Sequence, residues 1–229
     1  MAGKHDPEKP VRRDDHPGDG VARGTARMEI YADAVFAIAF TLPVVELVLP
    51  EAGRGPLDAQ IAALWPSYLG YILSALVIGI YWVQHHFTGA IYRTTGHHFL
   101  VATVLFLIAI GFIAFPTRVF AEHIADAEAR ETGAIFYTLT LSVTALAWWI
   151  KWRTGLAYGD VDDRLDPAYV ARLNRTYAFS TILMAAAAAL ALVRWEAGLA
   201  LAALVTLSYL RAPETPVYLE EAPAVEGEE

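Results

Sequence analysis

Ionisable side chains stand inside apolar stretches of this 229-residue sequence, where they could form ion pairs, move protons or attract ions. Arg27 and Asp33 open one such stretch, and Glu46 stands near its end. Arg27 and Asp33 are six residues apart, about 240° around a helix, so each needs a partner on another element. His85 or His86 lies at the matching depth of the next apolar segment. This spacing predicts a buried cluster of Arg27, Asp33 and a histidine; histidines solvated at the membrane surface are the alternative.

The stretch 27–50 is about long enough for one bilayer crossing, and its side chains divide into two faces. Asp33 lies on one face, directed back into the bundle of its own subunit. At about 100° per residue, the other face carries apolar side chains and a single hydroxyl, from Ile38, Thr41, Leu42, Val45 and Leu49. We interpret this segment as a pore-facing helix of an oligomeric channel. An ordinary membrane helix with polar ends is the alternative.

The residue types argue against catalysis. Cysteine is absent, which excludes disulfides, thiolate chemistry and cysteine metal ligands. Two adjacent histidine pairs, 85–86 and 97–98, suggest a membrane di-iron site, but such sites need several histidine boxes at wider spacings. We therefore expect no enzyme, no metal site and no cofactor. The net charge of −8 resides largely in tails and loops, and no nucleic-acid partner is expected.

Composition places the chain in a lipid bilayer. Hydrophobic residues make up 56% of it and its mean hydropathy is +0.38, which is more apolar surface than a soluble domain of this length buries. We predict an all-α membrane protein whose six transmembrane helices per subunit lie at 28–50, 60–84, 98–120, 133–152, 173–193 and 196–211. The channel domain is expected over 27–211, between a disordered cytoplasmic tail at 1–26 and an acidic cytoplasmic tail at 212–229.

The distribution of basic residues predicts the orientation. If both termini are cytoplasmic, 13 of the 17 Lys and Arg residues lie on the cytoplasmic side, in agreement with an even number of crossings. Three tryptophans near the end of the fourth segment, Trp148, Trp149 and Trp152, are expected at the membrane surface on that side.

An acidic connection follows the fourth segment. Its carboxylates at 160, 162, 163 and 166 lack the glycine and the final glutamate of a calcium-binding loop, so we expect a solvated loop. Asp166 followed by Pro167 predicts a capped helix that starts well before the fifth apolar segment.

A resemblance to a known family enters at the first segment. Arg27, Tyr31 and Asp33, followed by VFAIAFTL and then Glu46, resemble the Arg-x-x-x-Phe-Ser-Asp signature of the endosomal/lysosomal potassium channel family (transmembrane protein 175) and its bacterial single-repeat homologues. Further along, YWVQHH and the Ala-Phe-Pro-Thr run at 114–117 are similar to elements of the second and third helices of that family.

The chain departs from the family pattern at three places, with Tyr31 for phenylalanine, Ala32 for serine and Pro43 for an aliphatic residue. Losing the serine hydroxyl removes one possible hydrogen bond from the signature network. Pro43 cannot donate to the carbonyl of Ala39, so a kink in the helix is expected just beyond Ile38.

The resemblance implies a homotetramer in a bacterial plasma membrane, with helix one lining the central pore. It implies that Ile38 forms the constriction and that Thr41 follows one turn later, which gives modest selectivity for K⁺ over Na⁺ among monovalent cations. Glu46 would draw cations to the outer mouth, or else form a structural helix contact. No carbonyl filter of the TVGYG kind occurs in the sequence.

A proton-coupled secondary transporter that uses Asp33 and a helix-two histidine is the alternative function. Ionisable groups inside the membrane favour it, whereas the absence of an inverted repeat in the sequence argues against it. An accessory membrane subunit without transport activity is a third possibility.

Overall fold

The computed structural model describes residues 24–48 and 50–219. Within these ranges the chain is helical, which confirms the all-α prediction, and β-structure is limited to two isolated bridges, Tyr92 with Val161 and Leu165 with Tyr218. The helices are α1 (Ala26–Thr41), α2 (Leu57–Ala63), α3 (Trp65–Gly89), α4 (His97–Phe112), α5 (Ala114–Glu122), α6 (Ala127–Tyr158), α7 (Pro167–Ala191) and α8 (Trp195–Ser208), and a 3₁₀ turn, Leu42–Glu46, follows α1.

The third predicted segment is divided between α4 and α5 at Ile113. Pro116 has no N–H, so the carbonyl of Phe112 loses its helical donor at this point. The helical bonds resume at Thr117, whose backbone N–H and hydroxyl both donate to the Ile113 carbonyl, at 3.2 and 2.7 Å. The two helices together still form one apolar passage.

Four helical passages of the described chain are long and apolar enough to cross a membrane: 26–45, 65–89, 97–122 and 127–158. Helix α8 has 14 residues and spans about 21 Å at 1.5 Å per residue, which is short for a bilayer. Helix α7 has 25 residues but begins with a charged stretch that contains Arg172 and Arg175. Six crossings therefore remain a prediction.

Two connections and the C-terminal segment meet at one end of the bundle. The backbone N–H of Arg93 donates to the Asp160 carbonyl at 2.8 Å, which joins the α3–α4 and α6–α7 connections. The N–H of Asp166 donates to the Val217 carbonyl, also at 2.8 Å, so the segment after α8 lies against the same connection. This grouping agrees with the predicted partition of the loops. Residues 1–23 and 220–229 of the predicted tails lie outside the described ranges.

The acidic connection is not the solvated loop that its composition predicts. Asp160 and Asp162 are buried, with 2% and 7% of their surface exposed. Asp160 Oδ1 accepts from the N–H of Gly96 at 2.5 Å, so the carboxylate caps the start of α4. Hydrogen bonds from the guanidinium and the N–H of Arg164 lower the pKa of Asp162 to about 2. Asp166 caps α7 as expected, accepting from the N–H of Ala168.

The tryptophans of α6 also lie elsewhere than predicted. Trp148 and Trp152 are buried, with 8% and 1% exposed, and both pack edge-on against Tyr177 of α7. The prediction of surface indoles failed because α6 continues to Tyr158, beyond the apolar segment on which it rested. Trp148 and Trp152 therefore belong to the core, whereas Trp149 is half-buried.

Candidate functional site

Helix α1 packs on the bundle through one stripe of side chains. Met28, Ala32, Phe36 and Ala39 recur every three or four residues and are all buried against α3 and α4. The ring of Phe36 lies 6.2 Å from that of Phe106 on α4. This stripe fixes which side of α1 the subunit covers.

Most of the remaining surface of α1 is uncovered in the subunit, and every described residue of the predicted pore stripe lies on it or on the 3₁₀ turn that follows. Ile38, Leu42 and Val45 have 59%, 55% and 73% of their surfaces exposed, and Thr41 is exposed as well. The subunit therefore presents an apolar helical face with one hydroxyl. Leu49, the last member of the predicted stripe, lies outside the described residues.

The hydroxyl of Thr41 has a fixed orientation. It donates to the Ala37 carbonyl at 2.7 Å, one turn earlier on α1. Because the hydrogen is used inside the helix, the oxygen lone pairs remain available as acceptors on the exposed face. Such an oxygen can therefore coordinate a cation through its lone pairs.

Helix α1 changes geometry immediately after this hydroxyl. The α-helix ends at Thr41, and the 3₁₀ turn begins at Leu42 with Pro43 in its first residues. The missing N–H of Pro43 explains the change, because the chain cannot continue the α-helical hydrogen bonds through it. Glu46 closes the turn, but the orientation of its side chain lies outside what the structure describes.

The signature residues make contacts that differ from those of the predicted cluster. Asp33 is exposed in the subunit, and its Oδ1 accepts from the indole N–H of Trp82 on α3 at 3.0 Å. Trp82 in turn stacks on His86, with ring centroids 5.7 Å apart. Arg27 is exposed at the start of α1. The structure thus joins Asp33 to His86 through an indole, and it does not form a buried cluster with Arg27.

His85, the other candidate histidine, has a partner that the sequence reasoning missed. His85 is buried with 3% of its surface exposed, and its Nδ1 lies 3.0 Å from Nζ of Lys151 on α6. Lys151 is itself 1% exposed, and its Nζ lies 5.1 Å from the centroid of the Trp148 ring. The run AWWIKW could have predicted this contact, because a single lysine inside an apolar helix needs a partner in the bundle.

The His85–Lys151 pair is linked to the candidate pore helix. The ring of Phe36, on the buried stripe of α1, lies 5.6 Å from the His85 ring. At the start of α1, a side-chain carbon at Gly89 would lie 3.2 Å from Oε1 of Glu29, so α1 and α3 approach closely there. The position of α1 therefore depends on buried groups of α3 and α6.

Comparison with known proteins agrees with the signature at the start of α1. The family model described as endosomal/lysosomal potassium channel TMEM175 matches residues 27–116. A potassium channel of Streptomyces collinus is 36% identical over 156 residues, which are 66% of this chain and 74% of the relative. The chain belongs to the TMEM175 potassium channel family. The relatives are ion channels and not enzymes, in line with the absence of catalytic motifs from the sequence.

Other TMEM175 relatives extend the similarity. A potassium channel of Chamaesiphon minutus is 34% identical over 122 residues, which are 52% of this chain and 60% of the relative. The crystal structure of a lysosomal potassium-selective channel TMEM175 homolog from the same organism matches with a TM-score of 0.70 at 26% identity, covering 81% of this chain and 96% of that one. The fold of this TMEM175 family member is thus shared beyond the region that the family model covers.

The contact of Asp33 in this TMEM175 family member sets the expected effect of its removal. Asp33→Ala removes the acceptor of the Trp82 indole and should lower the free energy of unfolding by about 1 kcal/mol, the net worth of one hydrogen bond. Asp33→Asn keeps an oxygen acceptor and should cost less. Chemical denaturation in detergent micelles measures both variants.

Trp82→Phe is the matched control, because it removes the donor and keeps most of the ring. Combined with Asp33→Ala it should add little further loss, since both changes break the same bond. A loss of several kcal/mol for Asp33→Ala alone would contradict this expectation and show that a second subunit buries the carboxylate.

Proposed function

We propose that this TMEM175 family member is a potassium-permeable cation channel whose pore is lined by α1 from each subunit of a homotetramer. One helix per subunit cannot enclose a pore, so several copies of α1 must meet around an axis. The single observation that carries the proposal is the uncovered face of α1, where Ile38, Leu42 and Val45 are all more than half exposed. The helix packs on the bundle mainly through its opposite stripe, with further contacts to α3 from Asp33 and Phe40.

Ile38 is the proposed constriction. It stands 12 residues after the start of α1, about 18 Å along the helix and near the middle of a bilayer. A ring of isoleucine side chains would force a cation to shed water, and K⁺ loses its hydration shell at lower cost than Na⁺. The proposed outcome is modest selectivity for K⁺.

Thr41, Leu42 and Val45 continue the proposed pore wall beyond the constriction. The outward lone pairs of the Thr41 hydroxyl would replace part of the hydration shell that the Ile38 ring removes. Glu46 would attract cations at the outer mouth, and both termini would lie in the cytoplasm of a bacterial cell.

The alternative of a proton-coupled transporter receives no support from the contacts. It requires a proton path that includes Asp33 and a histidine of α3. Asp33 accepts from the indole N–H of Trp82, which stacks on His86 but does not relay protons, whereas His85 faces Lys151 in the core. Neither histidine is in direct hydrogen-bond contact with Asp33.

Electrical recording of the purified protein in planar bilayers tests the proposed function. The expected result is a current that varies linearly with voltage, reverses near the K⁺ equilibrium potential and does not depend on an imposed proton gradient. Strict coupling of K⁺ flux to protons would instead establish the transporter. Absence of both current and K⁺ flux from a correctly assembled protein would overturn both hypotheses, since an electroneutral exchanger carries no current.

A further inference from the structure

A cavity of about 530 Å³ opens between α3, α7 and α8 at the end of the bundle where the C-terminal segment lies. Its volume falls within the range of about 300–1,000 Å³ that is usual for ligand sites. Its walls combine polar side chains with two guanidinium groups. The polar and charged residues that line it include Gln84, Arg172, Thr176, Ser180, Tyr209 and Arg211. The channel proposal uses none of them.

The cavity exists because α3 stands apart from the α7–α8 pair. Helix α3 packs chiefly against α1 and α5, whereas α7 and α8 pack against each other and against α6. A hydrogen bond of 2.9 Å, from the side-chain amide of Gln84 to the Tyr209 carbonyl, bridges the gap. The bundle is therefore open to its surroundings on this side.

The charges at the cavity favour an anionic ligand. Arg172 and Arg211 line it together with one carboxylate, Glu214, which stands on the C-terminal segment. Glu214 accepts from Nε of Arg172 at 3.4 Å, in a pair whose side chains are 45% and 67% exposed. An exposed pair of this kind is worth little, so an incoming anion can compete for Arg172.

The depth of the cavity favours an amphiphile over a soluble anion. Gln84 and Thr88 lie in the last turns of the α3 span, and Arg211 follows the end of α8, so the site stands where hydrocarbon meets head groups. Large exposed apolar side chains lie at and beside it, since Phe87 lines the cavity and is 51% exposed, and Leu207 on α8 is 46% exposed. Basic pockets between transmembrane helices are suited to acidic lipid head groups.

We propose that this cavity binds the phosphate head group of an anionic phospholipid, with its acyl chains along the exposed faces of α3 and α8. Arg172 and Arg211 hold the phosphate as charge-assisted donors. The hydroxyl of Thr176 donates to the Arg172 carbonyl at 3.1 Å, so the two guanidinium groups are the proposed donors to the phosphate. The proposal does not depend on the ion that the protein conducts.

Native mass spectrometry of the detergent-purified full chain tests the site, with phosphatidylglycerol, phosphatidylcholine and inorganic phosphate as probes. Phosphatidylglycerol should be retained in preference to phosphatidylcholine, and millimolar phosphate should not displace it. The double variant Arg172→Gln with Arg211→Gln should bind phosphatidylglycerol about tenfold more weakly, as expected for the loss of charge-assisted contacts.

The matched control is Arg175→Gln with Arg93→Gln, which removes the same charge from the same end of the bundle. Arg175 donates to the Ala171 carbonyl and Arg93 pairs with Asp163, and neither lines the cavity. This control should retain the lipid. If the site variant aggregates, Arg211→Gln alone provides the test, because it leaves the Arg172–Glu214 contact intact.

Three results would overturn the proposal. Equal loss in the site and control variants would show a general effect of charge, and equal retention of the two lipids would show that the head group is not recognised. Displacement by inorganic phosphate would make the cavity a site for soluble anions instead of a lipid.

Discussion

Replacing Ile38 with asparagine is expected to lower the discrimination between K⁺ and Na⁺ while conductance stays the same or rises. In the proposed homotetramer, the apolar ring of Ile38 withholds oxygen from a passing ion, and four amide side chains would supply it. If the ring contributes about 1.4 kcal/mol of discrimination, the permeability ratio should fall about tenfold. Reversal potentials under opposed K⁺ and Na⁺ gradients measure the ratio.

The hydroxyl beyond the ring should contribute a smaller part of the selectivity. Thr41→Ala removes the outward-facing oxygen and leaves Ile38 intact, so the permeability ratio should also fall in this variant. The loss of the bond to the Ala37 carbonyl is a side effect, because that carbonyl still belongs to the helix. A change in stability measured in parallel separates the two effects.

Phe40→Ala is the control for both variants. Phe40 approaches Gly79 on α3, where a side-chain carbon would lie 3.8 Å from its ring, so its loss should affect packing more than permeation. Wild-type selectivity in Ile38→Asn would mean that ions do not cross at this ring. The assignment of α1 as the pore wall would then have to be withdrawn.

The faces of α1 were predictable because they depend on local sequence alone. A helix fixes the direction of each side chain from its position, so the spacing of Ile38, Thr41 and Val45 was enough to place them together. The structure leaves all three exposed in the subunit. The signature that begins at Arg27 is local in the same sense, and the family match starts at that residue.

The partners of buried polar groups were not predictable in this way. Lys151 and His85 are 66 residues apart, and only the packing of α3 on α5 and of α5 on α6 brings them together. Asp160 was expected to be solvated because loops usually are. The α3–α4 connection packs against it, and its carboxylate caps α4. Periodicity describes one element at a time and contains no information about which elements meet.

The sharpest test of such a contact between elements is the removal of His85. In His85→Leu the amine of Lys151 would stay buried without its hydrogen-bond partner, and the free energy of unfolding should fall by about 1–3 kcal/mol. The rings of Tyr92 and Trp148, 5.3 and 5.1 Å from Nζ, supply attraction but accept no hydrogen bond of that strength. Denaturant titration in micelles measures the loss.

The double variant His85→Leu with Lys151→Met should recover most of that stability, since two apolar side chains of similar size then fill the same space. His86→Leu is the control, because His86 is exposed on the same helix and its loss should change stability by less than about 0.5 kcal/mol. Additive losses in the double variant would show that the two residues are not coupled. Phe36 of α1 lies beside position 85, so a double variant that packs an apolar side chain there should also keep α1 in place and give currents like those of the unmodified protein.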